Sequence, residues 1–287
     1  MSTQIIIGIH GLKNKPPRAI LCDWWLNSIA EGFTRNLGMS SGLRNFELAY
    51  WADLMYAAPV AEGLDQEPYT PVAGAGPLPG HADSVRDLVK SFGKGLGGGL
   101  LDKLTAAPVA DDLAEKGLVA KAPDLHRYDS DPAIRQQVQK RLIASLRAAH
   151  EAGSRILLVA HSMGSIVAYD VLAATQRELP GLSVERFVTI GSPLGLHEVK
   201  QRARREIGEL RVPECVTWWH NFADRKDLVA LDALLHTDYA PNSRGVALTD
   251  HSVVNSYMSP SGQANPHKIY GYLRTPEMSA VMAEFLT

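Results

Sequence analysis

Residues 158–165 read LVAHSMGS, and the run Ile156–Ala160 that leads into them is apolar or small throughout. A short apolar run that stops abruptly at polar residues reads as a buried strand of a parallel sheet. The turn after it is crowded. Two residues either side of Ser162 stand Ala160 and Gly164, small enough for a strand and a following helix to approach closely. Two readings of Ser162 follow. It caps the helix after an ordinary turn, or it sits in a strained strand-to-helix turn that pushes its hydroxyl clear of the backbone. In the second case the helix amides point at the same place and favour a developing oxyanion. The strand before and the helix after, Gly164 to about Glu178, favour the nucleophile.

The rest of the chain alternates strands and helices. Gln4–Ile9 is a β-branched, apolar strand ending in His10-Gly11. Trp24, Trp25, Ile29, Phe33 and Leu37 fall mostly at helical spacing between about Leu21 and Leu37. Phe46–Trp51 reads as a second strand. Asp131 and Pro132 open a long helix to about Glu151, as an N-cap and an N1 proline. Arg155–Ala160, Val184–Ile190, Glu214–Asn221 and a short Arg244–Leu248 read as further strands, and Pro276–Leu286 as a C-terminal helix. This alternation predicts a parallel sheet with right-handed crossovers. Residues 55–130 break the pattern with AGAGPLPG and GKGLGGGLL, and read as an insertion with short helices.

Bulk properties narrow the function. The 287 residues suit one large α/β domain with a buried core, or two small domains. A net charge of -2 gives no sign of a nucleic-acid surface. Two cysteines, Cys22 and Cys215, are too few for a disulfide framework and lack metal-ligand spacing. No run approaches a membrane span, and the N-terminus has no basic region before its short apolar run. A cytoplasmic protein without a transmembrane segment is the expectation. GKGLGGGLLDKL lacks the Gly-Lys-Ser/Thr ending of a phosphate loop.

AHSMGS preceded by ILLV resembles the nucleophile elbow of the α/β-hydrolase fold, and specifically that of lipases and esterases. Ala160 stands where the first Gly is usual, a variant familiar from small bacterial lipases that read Ala-His-Ser-Met-Gly. The resemblance covers most of the chain as an order of elements and is absent in residues 55–130. It implies a single α/β-hydrolase domain over residues 1–287, with a mostly parallel sheet flanked by helices and a lid- or cap-like helical insertion at 55–130. The chain begins at the strand leading to the oxyanion loop, so the usual N-terminal hairpin is expected to be missing. Leu96, Leu100, Leu101 and Leu104 serve as a lid over an acyl pocket or, equally, as a dry packing layer.

The resemblance also implies an order of catalytic residues: serine, acid, histidine. WWHNFADRKDLVALD offers Asp224, Asp227 and Asp232 as the acid, the first two in a loop just past a strand. Asp227-Leu228-Val229 matches the family's Asp-x-Val, which favours Asp227, with Asp224 the alternate. His267 sits on a Pro-containing loop before the last helix, as the family's histidine does, and His251 is its alternate. His220 lies within a strand and suits packing; His197 lines a site at most, being early for the triad; His236 completes the candidates. The oxyanion donors are expected at the amides of Met163 and Leu12, the latter after a His10-Gly11 pair similar to the family's His-Gly. His10, Gly11 and His161 are expected in the pocket.

The expected chemistry is ester hydrolysis through an acyl-enzyme on Ser162, without metal or cofactor. The substrate is a small-molecule or lipid ester, with transient contact to a lipid surface. Thioesterase, amidase and acyltransferase reactions use the same parts. A non-catalytic binding module and a lipid-attacking effector are the rivals from other classes. The five Trp suit core or pocket wall, and KQRARREIGELR suits a solvated helix face.

Overall fold

A computed structural model of the protein describes residues 3–61, 63–65, 67–80, 122–230 and 234–287. Six strands form one sheet in the order β2-β1-β3-β4-β5-β6 among the described residues. They are β1 (Gln4–Ile9), β2 (Phe46–Ala49), β3 (Arg155–His161), β4 (Val184–Ile190), β5 (Val216–Asp224) and β6 (Leu248–Val253). Every neighbouring pair is parallel. Parallel strands need crossovers, and helices supply most of them. These are α1 (Arg18–Gly32), α2 (Ala52–Met55), α3 (Pro123–Ser130), α4 (Pro132–Glu151), α5 (Met163–Glu178) and α6 (His197–Ile207), with α7 (Ile269–Leu273) and α8 (Pro276–Leu286) after the last strand. No helix among the described residues is long and apolar enough to cross a membrane.

Side-chain alternation along the strands builds a core on each face. Leu158 and Ala160 of β3 join Leu142, Ile166 and Val199 from α4, α5 and α6 on one side. Leu157 and Val159 join Trp25, Ile29, Tyr272 and Val281 from α1, α7 and α8 on the other. After β1 the chain turns outward to β2, and it then returns to the far side of β1 to lay down β3. The loops leaving β1 and β3 therefore diverge at the carboxyl edge of the sheet. Such a switch in strand order opens a crevice where ligands bind in open α/β sheets.

Several boundaries differ from the sequence reading, each for a local reason. The strand expected to Trp51 ends at Ala49, because the Trp51 amide donates to His10 Nε2 at 3.0 Å instead of to a ladder. The strand expected at Arg244–Leu248 is β6, starting at Leu248. Residues 242–246 are a turn, in which Asn242 Oδ1 accepts the amides of Arg244 and Val246, both at 3.0 Å. β5 runs on to Asp224 because β6 gives it a partner there, Asp224 opposite Val253. The helix expected at Leu21–Leu37 begins at Arg18 and loosens into a π-helical turn, Phe33–Leu37, capped by left-handed Gly38. The charged run at residues 200–211 is not wholly solvated. It contributes to α6, where Arg202 is buried and its guanidinium donates to Asp170 at 2.8 and 3.0 Å.

Of the short helices expected across 55–130, the described residues show α2, which ends at Met55, and α3, which closes the span. The described part of 56–80 is a helix-free strap. It lies along α1 and the π-helical turn after it, where the Val72 amide donates to Glu31 at 2.7 Å and Arg35 donates to the carbonyls of Val72 and Gly76. The lid or packing layer expected from Leu96, Leu100, Leu101 and Leu104 lies outside the described residues.

Candidate functional site

Ser162 is the residue between β3 and α5. Its backbone is at φ 54° and ψ -131°, one of two non-glycine residues with positive φ among the described residues. It stands at the N-cap of α5 but makes no side-chain capping bond. Its amide donates to the Ile190 carbonyl at 3.1 Å, and its own carbonyl accepts the Ser165 amide at 2.8 Å and the Ser165 hydroxyl at 2.6 Å. The backbone is thus fixed on both sides while the hydroxyl is left for another partner. That partner is His267, whose Nε2 lies 3.0 Å from Ser162 Oγ. The capping reading of Ser162 does not describe this residue.

Small neighbours make the turn possible. A Cβ on Gly164 would stand 2.7 Å from the carbonyl oxygens of Ile9 and His10. A Cβ on Gly11 would stand 2.6 Å from Ser162 Cβ and 3.1 Å from its Oγ. Glycine at these positions lets the loop after β1 and the start of α5 close on the serine.

On its other side His267 faces Asp227. Nδ1 lies 3.0 and 2.9 Å from the two carboxylate oxygens. An ionised carboxylate only accepts, so Nδ1 carries the proton and Nε2 is left to accept from the Ser162 hydroxyl. Asp227 is buried, and it also accepts the Tyr272 hydroxyl at 2.7 Å and the Val229 amide at 2.9 Å. The 3₁₀ turn Leu228–Ala230 thus folds back on its own acid. Gly191, at φ 53°, passes under this pair; a Cβ there would meet Asp227 Oδ2 at 2.9 Å and His267 Nδ1 at 3.1 Å.

The loops that present these groups are braced by residues outside any sequence motif. Asp224 ends β5 instead of lying in the loop beyond it, and its carboxylate accepts the amides of Lys226 at 2.8 Å and Asn255 at 2.6 Å. Asn255 in turn donates to the carbonyls of Pro266 and Lys268, at 2.7 and 2.8 Å, on both sides of His267. Tyr272 OH accepts the Asp224 amide at 3.0 Å while it donates to Asp227. Ser192 bonds Ser165 at 2.7 Å and so ties the loop after β4 to the serine turn.

His10, Gly11, Leu12, Met163 and His161 surround the serine. His10 Nδ1 donates to the Gly11 carbonyl at 2.9 Å, its Nε2 accepts the Trp51 amide, and its ring stacks on Trp51 at 4.6 Å. Burial, aided by nearby Lys15, pushes its pKa down to about 3, so the ring is a neutral brace under the loop. His161 Nε2 donates to the His267 carbonyl at 2.9 Å. Burial, then the adjacent His267, hold its pKa well below the usual value, so His161 stays neutral. Met163 is the first residue of α5, and first-turn amides have no intrahelical acceptor.

The other candidates sit elsewhere. His251 is in β6, bonded to His220 at 3.0 Å and stacked on Phe222 at 4.7 Å. His236 pairs with Asp250 at 2.8 Å, and His197 bonds Gln201 one turn along α6. Asp232 lies outside the described residues.

Ser162 opens into a cavity of about 810 Å³. Leu125, Ile166, Leu196 and Val229 give it apolar walls, and Lys13, Lys15, Lys268, Asp65 and Glu67 give it charged ones. Glu67 on the strap accepts from Asn265 at 2.8 Å and lies 3.4 Å from Lys268, so the strap is tied to the His267 loop. No protein-family model and no curated protein sequence matches the chain.

Proposed function

We propose that the chain is a serine hydrolase of carboxylic esters, built on the α/β-hydrolase fold. The carrying observation is the unbroken bond sequence from Ser162 Oγ through the His267 ring to Asp227, with Ser162 at positive φ at a switch in strand order. In this reading Ser162 Oγ attacks the ester carbonyl carbon and its proton passes to His267 Nε2. Asp227 holds the imidazole in the required tautomer and stabilises the imidazolium. The carbonyl oxygen takes up the negative charge and receives the amides of Met163 and Leu12. Collapse breaks the ester C–O bond, and His267 gives its proton to the leaving alkoxide. Water then attacks the acyl-enzyme, again losing a proton to His267, and the acid leaves as Ser162 recovers its hydrogen. The apolar walls of the cavity suit an acyl chain.

Hydrolysis of p-nitrophenyl esters from acetate to palmitate tests this, with wild type and Ser162→Ala side by side. Turnover that vanishes in the variant is expected. Equal turnover in Ser162→Ala, or none by the wild type on any ester, contradicts the proposal.

A further inference from the structure

Ser162 shares its positive φ with one other non-glycine residue among the described ones, Lys13 at φ 70°. A residue held in such a region persists only where its surroundings over-determine it. Lys13 follows Leu12, the second oxyanion donor in the proposed reaction. The Leu12–Lys13 peptide unit is held at both ends. Its N–H, on Lys13, donates to Asp124 Oδ2 at 2.7 Å. Its carbonyl, on Leu12, accepts the Lys15 ammonium, which also donates to the Lys13 carbonyl at 2.9 Å. Asp124 is itself fixed: it is buried in the first turn of α3, and the Tyr56 hydroxyl lies 2.8 and 3.0 Å from its two oxygens.

A cation on the oxygen and an anion on the hydrogen of one peptide unit set the orientation of its plane. That plane pivots at Leu12 Cα, the atom next to the Leu12 amide nitrogen. We propose that Lys15 and Asp124 are positioning residues of the oxyanion loop, clamping the strained Leu12–Lys13 peptide so that the Leu12 amide faces the reacting carbonyl oxygen. The proposal rests on the hydrolase reading above. It adds two residues that carry no hydrolase motif and lie 109 positions apart. Tyr56 supports them by holding the carboxylate of Asp124.

The clamp has a pH signature. Burial, then Lys268, lower the Lys15 ammonium to about 7; Lys13 also lowers it, and Asp124 and Asp65 oppose the shift. Those groups come from every segment facing it: the loop itself, the strap, α3 and the His267 loop. The neutral rings of His10 and His161 stand near as well. The clamping form is the charged one. It is complete below about pH 7 and is lost as pH rises through that value, so turnover falls on the alkaline side.

The test is steady-state ester hydrolysis by Lys15→Met, Lys15→Arg, Asp124→Asn and Tyr56→Phe, with pH profiles and with Ser162 labelling by a fluorophosphonate. Removing one oxyanion donor costs about 10²–10³-fold in kcat, and misplacing one costs less. Lys15→Met and Asp124→Asn are expected to lose about 10- to 100-fold in kcat with KM nearly unchanged. Tyr56→Phe should lose less. Lys15→Arg keeps the charge, so it should retain most activity and lose the alkaline limb. Wild-type kcat in folded Lys15→Met, or an unchanged alkaline limb in Lys15→Arg, overturns the clamp. If Asp124→Asn does not fold, the Lys15→Arg profile decides. Unaffected variants of an active, labelled wild type refute the clamp alone; a wild type that takes no label at Ser162 refutes the hydrolase reading with it.

Discussion

Ser162 turns its hydroxyl away from the helix it begins and toward His267, 3.0 Å away. Its backbone strain is the cost of that choice, about 1–3 kcal/mol for a non-glycine residue in such a region. Replacing it by glycine relieves the strain but gives the unfolded chain more freedom. Ser162→Gly is therefore expected to gain about 1 kcal/mol of stability while losing all ester turnover, whereas Ser162→Ala keeps the strain. Urea unfolding of both variants checks this; a destabilised Ser162→Gly would contradict it. Gly11 makes the complementary prediction. A Cβ there meets Ser162 Cβ at 2.6 Å, so Gly11→Ala must push the loop or the serine aside. A misplacement near 1 Å costs about 100-fold in rate, so kcat should fall by at least that much in a folded protein. Activity within a few-fold of wild type would show that the close approach is not needed. At this scale the sequence was informative where a motif is local. Ser162, Met163, Gly11, Asp227 and His267 were all expected, and the structure brings them together. Tyr272, Asn255 and Asp124 were not, because each acts through contacts made only when distant segments fold together, and Lys15 was not, because its bonds to the Leu12 and Lys13 carbonyls depend on a backbone turn that no motif marks.

The elements were legible in proportion to how local their signals are. Gln4–Ile9, Val184–Ile190 and Pro276–Leu286 have the expected limits, since β-branched runs or an N1 proline mark them in the sequence itself. The Asp131-Pro132 start of α4 was equally local, and Asp131 Oδ1 does accept the amides of Ala133 and Ile134, at 2.9 and 3.1 Å. Asp131→Ala should cost about 1 kcal/mol of stability with no change in KM. Thermal melts and kinetics would expose a larger or a catalytic effect. β5 and β6 were misjudged because their ends depend on one another: pairing between the strands carries β5 to Asp224, and an asparagine-led turn delays β6 to Leu248. The same pairing explains why Asp224 braces the site. At the end of its strand, its carboxylate reaches the Asn255 amide instead of a histidine.

Over the whole molecule, the parallel sheet was readable from the alternation of strands and helices, but the order of its strands was not. That order places the ends of β1 and β3 at a switch point, and with them Gly11 and Ser162. The fold also buries histidines in neutral form: His10 is lowered to about 3 and His251 to about 4, chiefly by burial. The unfolded chain binds a proton on each at about pH 6.5, and the native chain does so only near those lower values. Stability is thus full above about pH 6.5 and falls as pH drops toward 4, by about 1.4 kcal/mol per pH unit for each such group. In His10→Gln the slope should shrink by one proton's worth; urea unfolding between pH 7 and pH 4.5 measures it, and an unchanged slope would refute the neutral brace.

Folding brings Ser162, His267 and Asp227 into one sequence of bonds, and the proposed hydrolysis requires that sequence to make the serine nucleophilic. This requirement is tested most directly by intact mass measurement after exposure to a fluorophosphonate, with the labelled peptide identified. One adduct on Ser162 is expected, none in Ser162→Ala, and labelling of His267→Ala slowed by orders of magnitude. An unlabelled wild type, or an adduct that forms as fast without His267, would contradict it.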